Sequence, residues 1–163
     1  MSPTDCQGVL MDFDWMENTI FLRRLNNEER ELLSETMNIV EFKVGDNIVS
    51  QGQLGGTISI IRSGAATITY SNKERRAYVG KVVSGGVVGE MSFFRDHPVA
   101  ATVMAHDVCR TYQLSREGYI RLLDSNQQLV QSLFTYIITH MANALEDSNH
   151  QLTSGNNQNK PLI

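Results

Sequence analysis

GGVVGEMSFFRDHPVAATV, residues 85–103, is the stretch from which the rest of the chain is read. Gly85-Gly86 permits a tight or left-handed turn that side chains forbid. Val87-Val88 reads as the end of a buried strand. Gly89-Glu90-Met91-Ser92 breaks that strand, and Met91 to Arg95 can form one helical turn. Pro98 stops the turn, and an extended segment resumes over 99–105, because the position before a proline avoids the helical region and β-branched residues favour strands. A strand that stops, turns once and resumes leaves backbone N–H groups without ladder partners. Aimed together, they form a small cradle for an anion or a hydroxyl.

Outward from this break, the chain has period two. Strands are expected at 39–43, 47–50, 57–62, 65–70 and 75–83, then at 99–105 and 108–114, with Gly45, Gly52, Gly55-Gly56 and Ser63-Gly64 at the turns and a polar hairpin loop over 71–74. Short strands at this spacing argue for an antiparallel barrel or jelly roll. Toward the N-terminus the period is helical. Ile20, Phe21, Leu22 and Leu25 lie close to helical spacing within 15–25. Asn26 with Glu29 is a capping box, and Leu32, Leu33 and Met37 supply one apolar face. Residues 1–14 read as a loose lead-in.

Beyond the strands, Ser115 is an N-cap for a short helix through Leu123. A longer helix is expected over 127–146. Val130, Phe134, Ile137, Met141 and Ala144 step by four and three, the spacing of an a/d seam. Leu129, Leu133, Tyr136 and His140 form a second stripe beside it. A helix lying on one core needs one stripe. Two stripes predict either one face on the barrel and one on a second copy, with Val130, Phe134, Ile137 and Met141 as the dimer contact, or a helix buried on two sides within one chain. Residues 147–163 are a polar tail.

Composition bounds the function. The chain has 163 residues, 41% of them hydrophobic, which suits one domain with one core. Its net charge of −4 shows no basic nucleic-acid footprint. Cys6 and Cys109 form no spacing motif and read as reduced thiols of a cytoplasmic protein. No signal-peptide pattern is present, and no apolar run approaches the ~20 residues a bilayer crossing needs. His97, His106, His140 and His150 are isolated, so no metal site is expected. No nucleophile elbow, Walker loop or paired-Cys motif appears. The chain is expected not to be an enzyme.

Gly-Glu-(hydrophobic)-Ser, a short helix, then Pro-x-Ala-Ala-Thr resembles the phosphate-binding cassette of cyclic-nucleotide-binding domains. VGDNIVSQGQLGGTISIIRSGAATI (44–68) is similar to that family's glycine pattern, and DVCRTYQLSREGYIRLL (107–123) resembles its final strand and following helix. The resemblance spans about 21–145. It implies an α+β, mainly β fold: an antiparallel jelly-roll β-barrel flanked by N-terminal helices and a long C-terminal helix, with the domain at 15–146. It implies a ligand site of Gly89, Glu90, Met91, Ser92, Val99, Ala100 and Ala101. Glu90 matches the family's ribose ligand; read on its own, it is either such a ligand or a carboxylate held by local backbone amides that pins the cassette. The family's phosphate-binding Arg follows the proline, where this chain has Val99. Ala100 and Ala101 let the backbone approach a ligand. The resembling bacterial regulators dimerise through the equivalent long helix and carry a DNA-binding domain after it, which residues 147–163 cannot build, so no DNA binding by this chain is expected.

Three readings follow. One is a stand-alone sensor module for a cyclic nucleotide or related small ligand, its binding weakened or altered at Val99, which presents itself to a partner protein. Another is a dimeric interaction module that keeps the fold without the ligand. The third, an enzyme on a jelly roll, lacks the metal or triad it needs. Arg95, on the cassette turn, is either an anion contact or a solvated surface group.

Overall fold

The computed structural model of the chain describes residues 4–5, 9–72, 74–95 and 97–155. Cys6, part of the expected lead-in, Lys73 in the hairpin loop, Asp96 in the cassette and the end of the expected tail at 156–163 lie outside the described residues.

The chain runs β1 (Thr4–Asp5), α1 (Phe13–Met16), a π-helical turn (Glu17–Phe21), α2 (Asn27–Thr36), β2 (Met37–Phe42), β3 (Asn47–Val49), β4 (Thr57–Ser63), β5 (Ala65–Ser71), β6 (Arg76–Val83), β7 (Val87–Val88), α3 (Glu90–Arg95), β8 (Thr102–Ala105), β9 (Cys109–Ser115), α4 (Arg116–Ser125) and α5 (Gln127–Gly155). All strand pairs are antiparallel. One sheet has the order β1-β2-β9-β4-β7 and the other β3-β8-β5-β6. This is the expected α+β jelly roll, built as a two-sheet sandwich with helices before and after it.

The first sheet is buried on both faces. Ile39, Ile58, Ile60, Tyr112 and Leu114 join one core with Met16, Leu33, Leu122, Leu129, Leu133 and Ile137 from the helices. Phe42, Ile61 and Cys109 join a second core with Ile48, Ala66, Val82, Val103 and Ala105 of the other sheet. Hence β4 reads as an apolar run: Ile58, Ser59, Ile60 and Ile61 are all buried. Ser59 is accommodated there because its hydroxyl accepts from the Gln113 amide at 3.0 Å.

Near the N-terminus the chain departs from expectation in two places. Residues 9–14 are not a loose lead-in. The Asp12 carboxylate accepts from the Trp15 amide at 2.9 Å and caps α1. The Asp12 amide donates to the Tyr112 hydroxyl at 2.9 Å, and its carboxylate pairs with Arg62. Local capping and a tie to β9 therefore hold this segment down. Met37, assigned by period to the face of α2, instead opens β2 opposite Leu114. The helix ends at Thr36 because strand pairing captures the next residue. The capping box itself is present: Asn26 accepts from the Glu29 amide at 2.8 Å, and Glu29 accepts from the Asn26 amide at 3.0 Å.

α5 corrects the expected dimer seam. Val130 and Ile137 are 5% and 0% exposed, inside the core against the sheet and the other helices. They cannot meet a second copy without unpacking the chain. Phe134 and Met141 are partly buried against the same core. The helix also continues past 146 to Gly155, so the first part of the expected tail is helical.

Candidate functional site

β7 delivers the chain to the break, and the break needs glycine. Gly89 has φ +86, in the left-handed region, and a Cβ there would lie 2.5 Å from the Thr57 carbonyl oxygen. Only a residue without a side chain fits between β4 and the start of α3. From Gly89 the chain folds directly into α3. The Phe93 amide and the Ser92 hydroxyl both donate to the Gly89 carbonyl, at 3.0 Å each. The amides of Glu90, Met91 and Ser92 precede the first intrahelical bond, and such groups have no carbonyl partner within a helix.

The return segment is pinned across the sandwich edge. Leu54 and Pro98 form an isolated antiparallel bridge. The Val99 amide donates to Gln53 at 2.8 Å, and Val99 accepts from the Gly52 amide at 2.8 Å. The strand expected from residue 99 begins only at Thr102. Residues 99–101 are thus spent as a tethered loop that faces α3.

Between α3 and this loop lies a cavity of about 270 Å³, close to the lower end of the ~300–1,000 Å³ range of small-molecule sites. Gly89, Glu90, Met91, Ser92, Val99, Ala100 and Ala101, all singled out by sequence, line it together. Val87 and Val88 contribute a wall, and Val49, Ile68 and Val103 complete it from β3, β5 and β8. The surroundings are mostly apolar. Burial pushes the Glu90 carboxyl above the ordinary range, although its own backbone N–H partly stabilises the charged form. The Glu90 carboxylate makes no ion pair among the described residues.

Sequence reasoning weighed Arg95 but missed His97, Val49 and Ile68 in this lining. Arg95 and His97 also reach the cavity, both exposed at its mouth. Their signal lay in position, one at the last turn of α3 and one beside Pro98. Val49 and Ile68 carried no signal, since only strand order brings them there. Ser92 is not a free nucleophile, because Gly89 takes its hydroxyl. No group of three or more His, Cys, Asp or Glu that could hold a metal is present among the described residues. Nor, among them, is any helix long and apolar enough to cross a membrane.

α3 is tied to the helices that follow. An Arg116 N–H donates to the Phe93 carbonyl at 2.8 Å, and its guanidinium lies 5.0 Å above the Phe93 ring. Phe93 meets Phe94 edge-on at 5.4 Å and Tyr119 at 5.8 Å. Phe94 meets Phe134 at 5.2 Å, and Tyr119 stacks on Phe134 at 5.3 Å. Four rings therefore connect the cavity helix to α4 and α5.

Comparisons with known proteins agree with this geometry. The cyclic nucleotide-binding domain profile matches residues 39–126, more than half of the chain. The cAMP-dependent protein kinase regulatory subunit of Dictyostelium discoideum is 34% identical over 109 residues, 66% of this chain and 33% of that protein. That of Mucor circinelloides f. lusitanicus is 28% identical over 109 residues, 67% of this chain and 26% of that protein. The chain thus spans about a quarter to a third of the length of these relatives. Among solved structures, a cyclic nucleotide-binding domain from Methylobacillus flagellatus KT superposes with a TM-score of 0.78 at 19% identity, over 93% of this chain and 86% of that one. With the cassette, the two-sheet sandwich and the matched profile in register, the chain belongs to the cyclic nucleotide-binding domain family.

Proposed function

We propose that this chain is a ligand-sensing regulatory module, not an enzyme, and that its cavity holds a cyclic nucleotide or a related small ligand without the usual phosphate anchor. The observation that carries this reading is the convergence of the seven cassette residues on one cavity with Glu90 facing it. Glu90 suits a ligand hydroxyl, and the first amides of α3 suit an anion or an oxygen. Val99 offers no charge where the family has Arg. A charge-assisted hydrogen bond contributes roughly 1.5–3 kcal/mol net, and an Arg–phosphate fork makes two. Its absence weakens cyclic nucleotide binding by about a hundredfold to ten-thousandfold, at about tenfold per 1.4 kcal/mol.

Calorimetry with cyclic AMP and cyclic GMP tests this. The wild-type chain should bind weakly, Val99→Arg should gain affinity, and Glu90→Ala should abolish the gain. Micromolar or tighter binding by the wild type overturns the role given to Val99. No gain from Val99→Arg shifts the reading to an interaction module that keeps the fold alone.

The same reading includes a homodimer through the outer face of α5. Ile138 and Leu145 are 63% and 66% exposed, and with Phe134 and Met141 they step by four and three. That is a coiled-coil stripe displaced from the expected one. The four-ring cluster that joins α3 to Phe134 gives the cavity a physical route to this face. Cys109, a buried free thiol, accords with a reducing cytoplasmic setting.

A further inference from the structure

The four-stranded sheet ends on β6, which pairs with β5 on one side only. Arg76, Ala77, Tyr78, Val79, Lys81 and Val83 are exposed along it. Tyr78, Val79 and Val83 are 68%, 56% and 54% exposed, and Tyr70 on β5 is 45% exposed. A sheet edge of this length, carrying aromatic and β-branched residues, is a template for another strand. The side chains of Arg75, Arg76 and Lys81 have no carboxylate partner among the described residues. By contrast, Arg23, Arg24, Arg30, Arg62, Arg110 and Arg121 are each paired with an acid. In a chain of net charge −4, this edge is a local concentration of unpaired positive charge.

We propose that the β6 edge docks an extended acidic segment of a partner protein. The segment adds as a strand beside β6 through main-chain hydrogen bonds and sets carboxylates against Arg75, Arg76 and Lys81. Charge selects this occupant over a second copy. Antiparallel pairing of two β6 strands about 78–79 places Arg76 opposite Lys81, and like charges directly opposite are destabilising. The register shift opposite Ile68 and Thr69 leaves Val79 without a cross-strand partner. The added strand therefore pairs in two short runs on either side of Val79, and the exposed Tyr78 supplies apolar contact between them.

Fluorescence anisotropy on the full chain tests this, with a labelled ten-residue peptide alternating Glu with Val or Thr. Its Lys counterpart and an N-methylated acidic peptide serve as controls. The acidic peptide should bind in a salt-sensitive manner and the Lys peptide should not. The double variant Arg76→Glu/Lys81→Glu should lose at least tenfold for the acidic peptide and gain the Lys one. Alternate N-methylation should abolish binding, since it removes strand hydrogen bonds and leaves the charge. Equal binding of the Glu and Lys peptides, full binding by the N-methylated peptide, or indifference to the double variant overturns the proposal. So does tighter binding of oligothymidylate, which assigns the edge to a nucleic acid. A dimer dissolved by Tyr78→Glu also overturns it, since it assigns the edge to a second copy.

Discussion

Two glutamates show how environment sets a residue's role. Glu17 is buried, yet its carboxylate accepts from the Leu25 amide at 2.9 Å and pairs with Arg30 at 2.7 Å and Arg24 at 2.8 Å. These partners, the Leu25 amide first, hold its pKa down at about 2. They also close the turn at Leu22, which sits in the left-handed region at φ 53. Glu90 is the opposite case, with no cation paired to it and a pKa raised by burial. The linkage signs differ accordingly. Glu17's contribution is complete above the ordinary carboxylate range and lost as pH falls toward about 2. Burying Glu90 favours its protonated form, so stability is lost as pH rises through its elevated folded value. Thermal melts across pH should show Glu17→Gln less stable than wild type at pH 7, with the gap closing in acid. Glu90→Gln should melt higher than wild type at pH 7 and match it in acid. Differences that ignore pH would show that these side chains act through shape rather than charge.

At the scale of elements, α5 has two faces that differ in burial. Its inner face, Leu129, Val130, Leu133 and Ile137, is at most 5% exposed and packs on the first sheet and the other helices. Leu133→Ala removes a filled core position and should cost about 2–5 kcal/mol in urea unfolding. Ile138→Ala, on the outer face, should fall within about 0.5 kcal/mol of wild type when measured at concentrations too low for association. Similar costs at both positions would mean that the two faces are not distinct. Ile137→Glu would report unfolding, not dimerisation, because it buries an unpaired charge in the core.

For the whole molecule, the homodimer proposed through the outer stripe of α5 is open to a direct measurement. Light scattering at micromolar concentration should give about twice the 18.3 kDa chain mass. Ile138→Glu combined with Leu145→Glu should return the mass to that of one chain while leaving the circular dichroism unchanged. A wild-type monomer, or a dimer indifferent to this pair, removes α5 as the interface. Both substituted residues are exposed within the chain, so the fold does not depend on them.

Much of this was legible in the sequence where the cause is local. Period two with glycine at the turns gives the strands between Ile39 and Leu114. The Asn26–Glu29 capping box and the Ser115 cap need only neighbouring residues. The strand break, turn and return of the cassette follow from Gly89 and Pro98, whose backbone preferences are intrinsic. The site residues along that stretch converge because they are close in sequence. What period could not state is what covers an apolar face. It marked Val130 and Ile137 as apolar but not as facing the chain's own sheet, and it left Ile138 and Leu145 outside the seam. It also gave Met37 to a helix that β9 ends by pairing. Val49 and Ile68 line the cavity only because β3 and β5 flank β8, and Glu17 is satisfied by Arg24, Leu25 and Arg30 only once the turn at Leu22 has closed. Local conformation follows from short-range sterics and hydrogen bonding. The burial partner of each face, and the walls of the cavity, follow from contacts between distant segments that only the folded chain brings together.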